Sequence, residues 1–307
     1  MLCLPDNTTL KMNYFLQRSK MKILFYNNHE NRLRAAWRIL IFSVLLLSGM
    51  LLFSVLTSGS SAFSIFMALF IVPLIWFAAK KLDKRSIRNY GLSLSGSWVR
   101  DFAAGNIMAA ASMTFLFLIS LTMDWVRIDA FQFHFDIQFI SGLLYLLLLM
   151  TAVSVWEEIY FRGFLITNLK EGLYLRSWGN RGAVLLAVLI SSVFFGLMHS
   201  WNPNADWAST LNISIAGLVF AYPYIVTNSI AIPIGMHLSW NFFQGAVFGL
   251  PVSGTTFEHI LMTVDVTGPE VFTGGQFGPE AGAAGLIGLM MLLICNRVYL
   301  SRFVHRG

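Results

Sequence analysis

Runs of about twenty uncharged, apolar residues recur along this 307-residue chain, and they restrict it to one class of fold. A run of that length crosses a bilayer as a helix. Lipid offers the backbone no hydrogen-bond partners, so each run must satisfy its own. Eight such runs are read: Ala36–Thr57, Ala62–Ala79, Phe102–Met123, Ile137–Asn168, Ala183–His199, Ala208–Val226, Ile230–Leu250 and Ala281–Tyr299. The chain is 56% hydrophobic and 12% charged, against roughly 25% charged for a soluble domain. The expected fold is an all-α, polytopic membrane bundle of about eight transmembrane helices. The fourth run is overlong and is expected to tilt or project. Trp207 to Phe257 contains no Asp, Glu, Lys or Arg, so its division into two spans rests on length. The break is predicted near Pro223-Tyr224 and Asn228-Ser229.

Charge sets the orientation. Seven Lys or Arg precede Ile39, six lie from Lys80 to Arg100, four between Glu157 and Gly182, and three follow Asn296. Only Arg127 of the 21 falls on the other side, together with eight of the fifteen acids. Basic loops stay cytoplasmic, so both termini are expected inside and the number of spans even. Residues 1–35 read as a basic tail, with Met1 to Lys20 as a start-site extension and Met21 as the alternative start. Residues 36–307 read as a single membrane domain. Cys3 and Cys295 sit at opposite ends and give no disulfide framework or thiolate site. The basic residues flank spans rather than forming a stripe, so a nucleic-acid partner is not expected; membrane lipid is. Glycines 196, 217, 235, 245 and 249 give the later spans small-residue packing surfaces. The outer stretch Thr267 to Gly282 reads as a flexible loop without chemistry.

The informative residues are those that should not be in a membrane. Glu157 and Glu158 end twenty uncharged residues, Ile137 to Trp156, and are followed by Arg162. Ionisable groups there are costly and point to function. Glu158 and Arg162 are four apart and share a helix face, whereas Glu157 points about 100° away. His199 ends a later span. His237 and Asn241, again four apart, lie on one face of another. A lone membrane histidine is usually a helix–helix hydrogen-bond partner. Four such groups on three spans are better accommodated around one polar cavity. There Glu157 would act as general base on a water, and His199 would hold that water or shuttle its proton. His237 and Asn241 would stabilise a tetrahedral oxyanion, with Glu158 and Arg162 supporting. Ser191, Ser192 and Ser239 lack acid–histidine support, so a serine nucleophile is disfavoured. From the helical rise His199 comes out deeper than the other groups, which requires its span to begin outside the bilayer or to tilt.

Glu-Glu-x-x-x-Arg, then Phe-x-x-x-His, then His-x-x-x-Asn, in that order on hydrophobic spans, resembles the type II CAAX prenyl endopeptidase family, also called the CPBP or Abi family. Two flanks, Leu82-Asp83-Lys84-Arg85 through Tyr90-Gly91-Leu92 and Trp240 to Gly245 through Pro251-Val252-Ser253-Gly254, resemble its bacterial branch. The resemblance implies an intramembrane endopeptidase of a bacterial plasma membrane. Its catalytic residues would be Glu157, His199, His237 and Asn241, and its substrate a peptide or membrane protein, with or without a lipid group. Glu157, His199 and His237 would also serve as a zinc ligand set. The absence of a His-Glu-x-x-His pair and the sufficiency of a glutamate base favour a metal-free reaction. Two other functions compete: a non-enzymatic bacteriocin-immunity or scaffold protein, and a proton-coupled transporter built on the same Glu and His residues.

Overall fold

The computed structural model describes residues 24–94, 96–133 and 136–303; the Met1–Lys20 extension lies outside them. The buried positions of the first membrane helix, α1 (Ala35–Leu56), are Ala35, Arg38, Phe42, Leu46 and Gly49. Steps of three and four put them on one stripe. The other faces carry leucines and valines that remain open, Val55 at 78% exposure among them, as a lipid-facing surface requires.

After α1 come α2 (Ala62–Leu82), α3 (Gly96–Thr122), α4 (Ile137–Gly172), α5 (Gly179–Trp201), α6 (Trp207–Thr227), α7 (Ala231–Phe242, continued by a π-helical turn, Phe243–Val247) and α8 (Ala283–Phe303). Seven of these are long and apolar enough to cross a membrane. The eighth, α7 with its π turn, measures about 25 Å at helical rise. Every residue from Ala231 to Asn241 is buried, so α7 is enclosed by protein and has no need to match the bilayer. Gly105 of α3 and Gly235 of α7 allow this. A Cβ on Gly235 would stand 2.3 Å from the Phe102 carbonyl, and one on Gly105 would stand 2.5 Å from the Ile232 carbonyl.

The break between α6 and α7 falls at Asn228-Ser229, within the expected region, rather than at Pro223. Pro223 lies inside α6, and the helix ends at Asn228, which takes the left-handed conformation at φ 51°. Such a residue is a common helix stop.

The two ends of the bundle differ. At the basic end a small hairpin, β1 (Tyr26–Asn27) with β2 (Arg32–Leu33), leads into α1. The carboxylate of Asp83, fully buried, accepts from Arg38 Nη1 (3.0 Å), Tyr90 OH (2.6 Å) and Asn168 Nδ2 (2.8 Å). Glu171 pairs with Arg32, Arg38 and Arg85. Burial and the neighbouring Asp83 charge push the Tyr90 phenol well above its usual range, keeping it a donor. This network ties α1, α4 and the α2–α3 connection together, which gives the Asp83-to-Tyr90 flank a structural role. At the opposite, acidic end, β3 (Val126–Phe131) pairs antiparallel with β4 (Met262–Val266), with a bulge between Ile128 and Ala130. Asn202 donates to the Ser253 carbonyl across the same end (3.2 Å).

Candidate active site

Two helices change pitch beside the polar residues. In α4 the α-helical hydrogen bonding gives way at Glu158 to eight π-helical residues, Ile159–Ile166. In α7 it gives way after Phe242 to Phe243–Val247. A π segment inserts a residue into the turn and re-aims the side chains around it, and such segments concentrate at functional sites. Glu157 and Glu158 therefore precede one π segment, and His237 and Asn241 precede the other.

The acids of α4 face the imidazole of α7. His237 Nδ1 lies 2.9 Å from Glu158 Oε1. A carboxylate accepts, so Nδ1 donates, and Nε2 is the ring nitrogen turned toward Glu157. That nitrogen is 3.8 Å from Glu157 Oε2, too far for a direct hydrogen bond. Glu157 is 6% exposed, and its Oε2 has no partner among the described residues. Glu158 Oε1 is also 3.0 Å from Arg162 Nη1, an ion pair between fully buried groups. The guanidinium is covered by rings, 4.4 Å from the Phe195 centroid and 5.5 Å from that of Phe220. Its Nη2 donates to the Gly217 carbonyl at 3.4 Å. These faces partly replace the water that burial removes.

His199 stands at the end of α5, where α-helix passes into a 3-10 turn, His199–Trp201. Its Nδ1 donates to the Phe195 carbonyl (2.8 Å). The Phe195 ring lies 4.7 Å from His199 and 6.0 Å from His237, centroid to centroid. The two imidazoles therefore flank one ring, and His199 stays out of ion-pair reach of either acid. Asn241 is buried, with no hydrogen-bond partner among the described residues.

Glu157, His199, His237 and Asn241 all line one cavity of about 950 Å³, which runs to the acidic end between the α1–α2 corner and the Val252–Thr255 turn. Ser191, by contrast, donates to the Phe161 carbonyl (2.9 Å) and is occupied structurally. No cluster of three or more His, Cys, Asp or Glu among the described residues is arranged to hold a metal ion. Glu157, His199 and His237, the zinc set implied by the resemblance, are not such a cluster in this arrangement.

One lining residue comes from the stretch read as a loop without chemistry. Glu280 sits in a 3-10 turn, Pro279–Ala281, just before α8. Its Oε2 accepts from the Ser253 backbone N–H (2.7 Å) and from Gln244 Nε2 (3.0 Å), and its Oε1 from the Ser253 hydroxyl (3.2 Å). Burial pushes its carboxyl up to about 7, with the Ser253 and Gln244 hydrogen bonds opposing. The signal available in the sequence was an acid, the second in a glycine-rich segment, directly before an apolar run.

A bundle of apolar helices with a buried Glu–His pair beside a cavity defines the class: an integral membrane protein with ionisable groups enclosed within its spans. Residues 139–243 of the chain match the family model described as type II CAAX prenyl endopeptidase Rce1-like. That family is one of proteases acting within membranes, and the matched segment contains every motif residue from Glu157 to Asn241. Comparison with curated proteins gives no match, and comparison with solved structures gives none.

Proposed function

We propose that the protein is an intramembrane endopeptidase that hydrolyses a peptide bond with a water activated by Glu157. The observation that carries this reading is the 3.8 Å gap between Glu157 Oε2 and Nε2 of His237. A water beside both atoms bridges a gap of that length while donating to the Glu157 carboxylate. Glu157 takes a proton as the water oxygen attacks the substrate carbonyl carbon. The carbonyl oxygen becomes an oxyanion facing the Asn241 amide, whose N–H groups are otherwise unengaged. The C–N bond then breaks, and the proton held by Glu157 passes to the leaving nitrogen. Glu158, braced by Arg162, fixes the His237 ring, and His199, at the cavity mouth, carries protons between the site and solvent. The cavity is reached by a peptide or membrane-protein chain in the bilayer, with lipid around the bundle. On the positive-inside reading both termini are cytoplasmic.

The test is a comparison of membrane peptides in cells with and without the gene. The reading expects peptides whose ends appear only when the protein is present. Identical peptide populations would leave the immunity or scaffold role as the better account.

A further inference from the structure

The substrate's charge is written into the same cavity. Besides Glu157, its wall carries Glu280, contributed by the turn before α8. Glu280 is held from two sides by Gln244 and Ser253, residues of the very stretch that follows Asn241 and that the hydrolytic chemistry does not use. Its Oε2 has two donors, whereas its Oε1 has one long contact, from the Ser253 hydroxyl. The Asn241 amide, more than nine-tenths buried, lines the cavity with no hydrogen-bond partner among the described residues, and the Glu157 carboxylate beside it has His237 Nε2 at 3.8 Å. No Lys or Arg is among the described lining residues. The end on which the cavity opens carries eight of the chain's acids and only one arginine, Arg127. That arginine is already paired with Asp124.

A cleft of one sign with low-dielectric walls concentrates ions of the other sign. Among the described residues Glu280 has no ion pair with a Lys or Arg and is held only by hydrogen bonds from Gln244 and Ser253, so a cation would relieve the cost of burying its carboxylate. We propose that the cavity binds a positively charged peptide segment and that Glu280 receives its basic side chain or amine. The proposal rests on the endopeptidase reading and specifies its substrate class. It also excludes, by like-charge repulsion, a substrate whose free carboxylate must lie beside Glu157 and Glu280.

The experiment uses the full-length protein in liposomes. The probes are fluorescent apolar peptides identical except for a block of Lys, Gln or Glu. Binding is read by anisotropy and cleavage by fragment release. The Lys peptide is expected to bind about tenfold or more tightly than the Glu peptide, with the preference falling as salt rises. Where cleavage is seen, the preference should appear in KM rather than kcat. In Glu280→Gln the Lys-over-Glu ratio should move toward one. Equal binding of the three peptides by the wild-type protein would overturn the proposal, as would a Lys preference that survives in Glu280→Gln. The wild-type comparison holds even if the variant fails to fold. Charge-selective binding without any cleavage would instead remove the endopeptidase reading while keeping the cationic site.

Discussion

Glu158 and His237, 79 positions apart in the chain, meet at 2.9 Å in the middle of the bundle. Because Arg162 shares the same Glu158 oxygen at 3.0 Å, the carboxylate holds one cation and one imidazole at once. Removing its charge leaves Arg162 buried and unpaired, which costs about 3–5 kcal/mol. Glu158→Gln is therefore expected to lower the thermal stability of the purified protein sharply. Adding Arg162→Met should recover much of that stability, since an apolar residue needs no counter-charge. Activity should stay low in the double variant because His237 is no longer oriented. Full activity in the double variant would show that Glu158 matters only to Arg162.

The contact between α3 and α7 depends on two glycines. With the Phe102 carbonyl 2.3 Å from a Cβ built on Gly235, Gly235→Ala forces backbone to move. The expected cost is about 1–3 kcal/mol, read as a fall in unfolding temperature in detergent. An unchanged midpoint would mean that the helices are less tightly apposed than described.

Glu280 gives a pH dependence with a definite sign. Its folded-state value, about 7, lies above the ordinary carboxyl value of 4.5, so folding favours the protonated form. Its contribution to stability is fully present below about 4.5 and is lost as pH rises to about 7. The other titratable groups lining that cavity, Glu157, His199 and His237, are common to both proteins in the comparison. Unfolding midpoints measured from pH 4 to 8 (a span of roughly four units around these values) should fall more steeply in wild type than in Glu280→Gln. Parallel curves would refute the assignment.

Orientation can be read directly. With Cys3 and Cys295 replaced by serine, single cysteines at Ser60 and Asp129 lie at the acidic end and one at Arg88 lies at the basic end. An impermeant maleimide applied to intact cells is expected to label the first two. Arg88→Cys should react only after permeabilisation. The reverse pattern would put the cavity mouth in the cytoplasm.

The spans were legible because apolar length is a one-dimensional property, and their ends fall within a few residues of those read from the sequence. That Glu157, His199, His237 and Asn241 share one cavity was legible because each is expensive alone in hydrocarbon. The geometry between them was not. The π segments at Ile159–Ile166 and Phe243–Val247 have no reliable sequence mark, and it was Glu158 rather than Glu157 that met His237 directly. Glu280 was missed because its partners, Gln244 and Ser253, are 36 and 27 positions away, and a loop acid reads as solvated. Of the two marks read for the break between α6 and α7, Asn228-Ser229 is the one that holds, since a proline inside a membrane helix is tolerated by its neighbours.

The most direct test is the cleavage rate of Glu157→Gln beside its unfolding temperature, both measured on purified protein in liposomes. Gln keeps the size and hydrogen bonding of Glu157 but cannot take a proton. The account predicts a loss of about 10²-fold or more in rate with an unchanged midpoint. A variant that still cuts within a few-fold of wild type would contradict it.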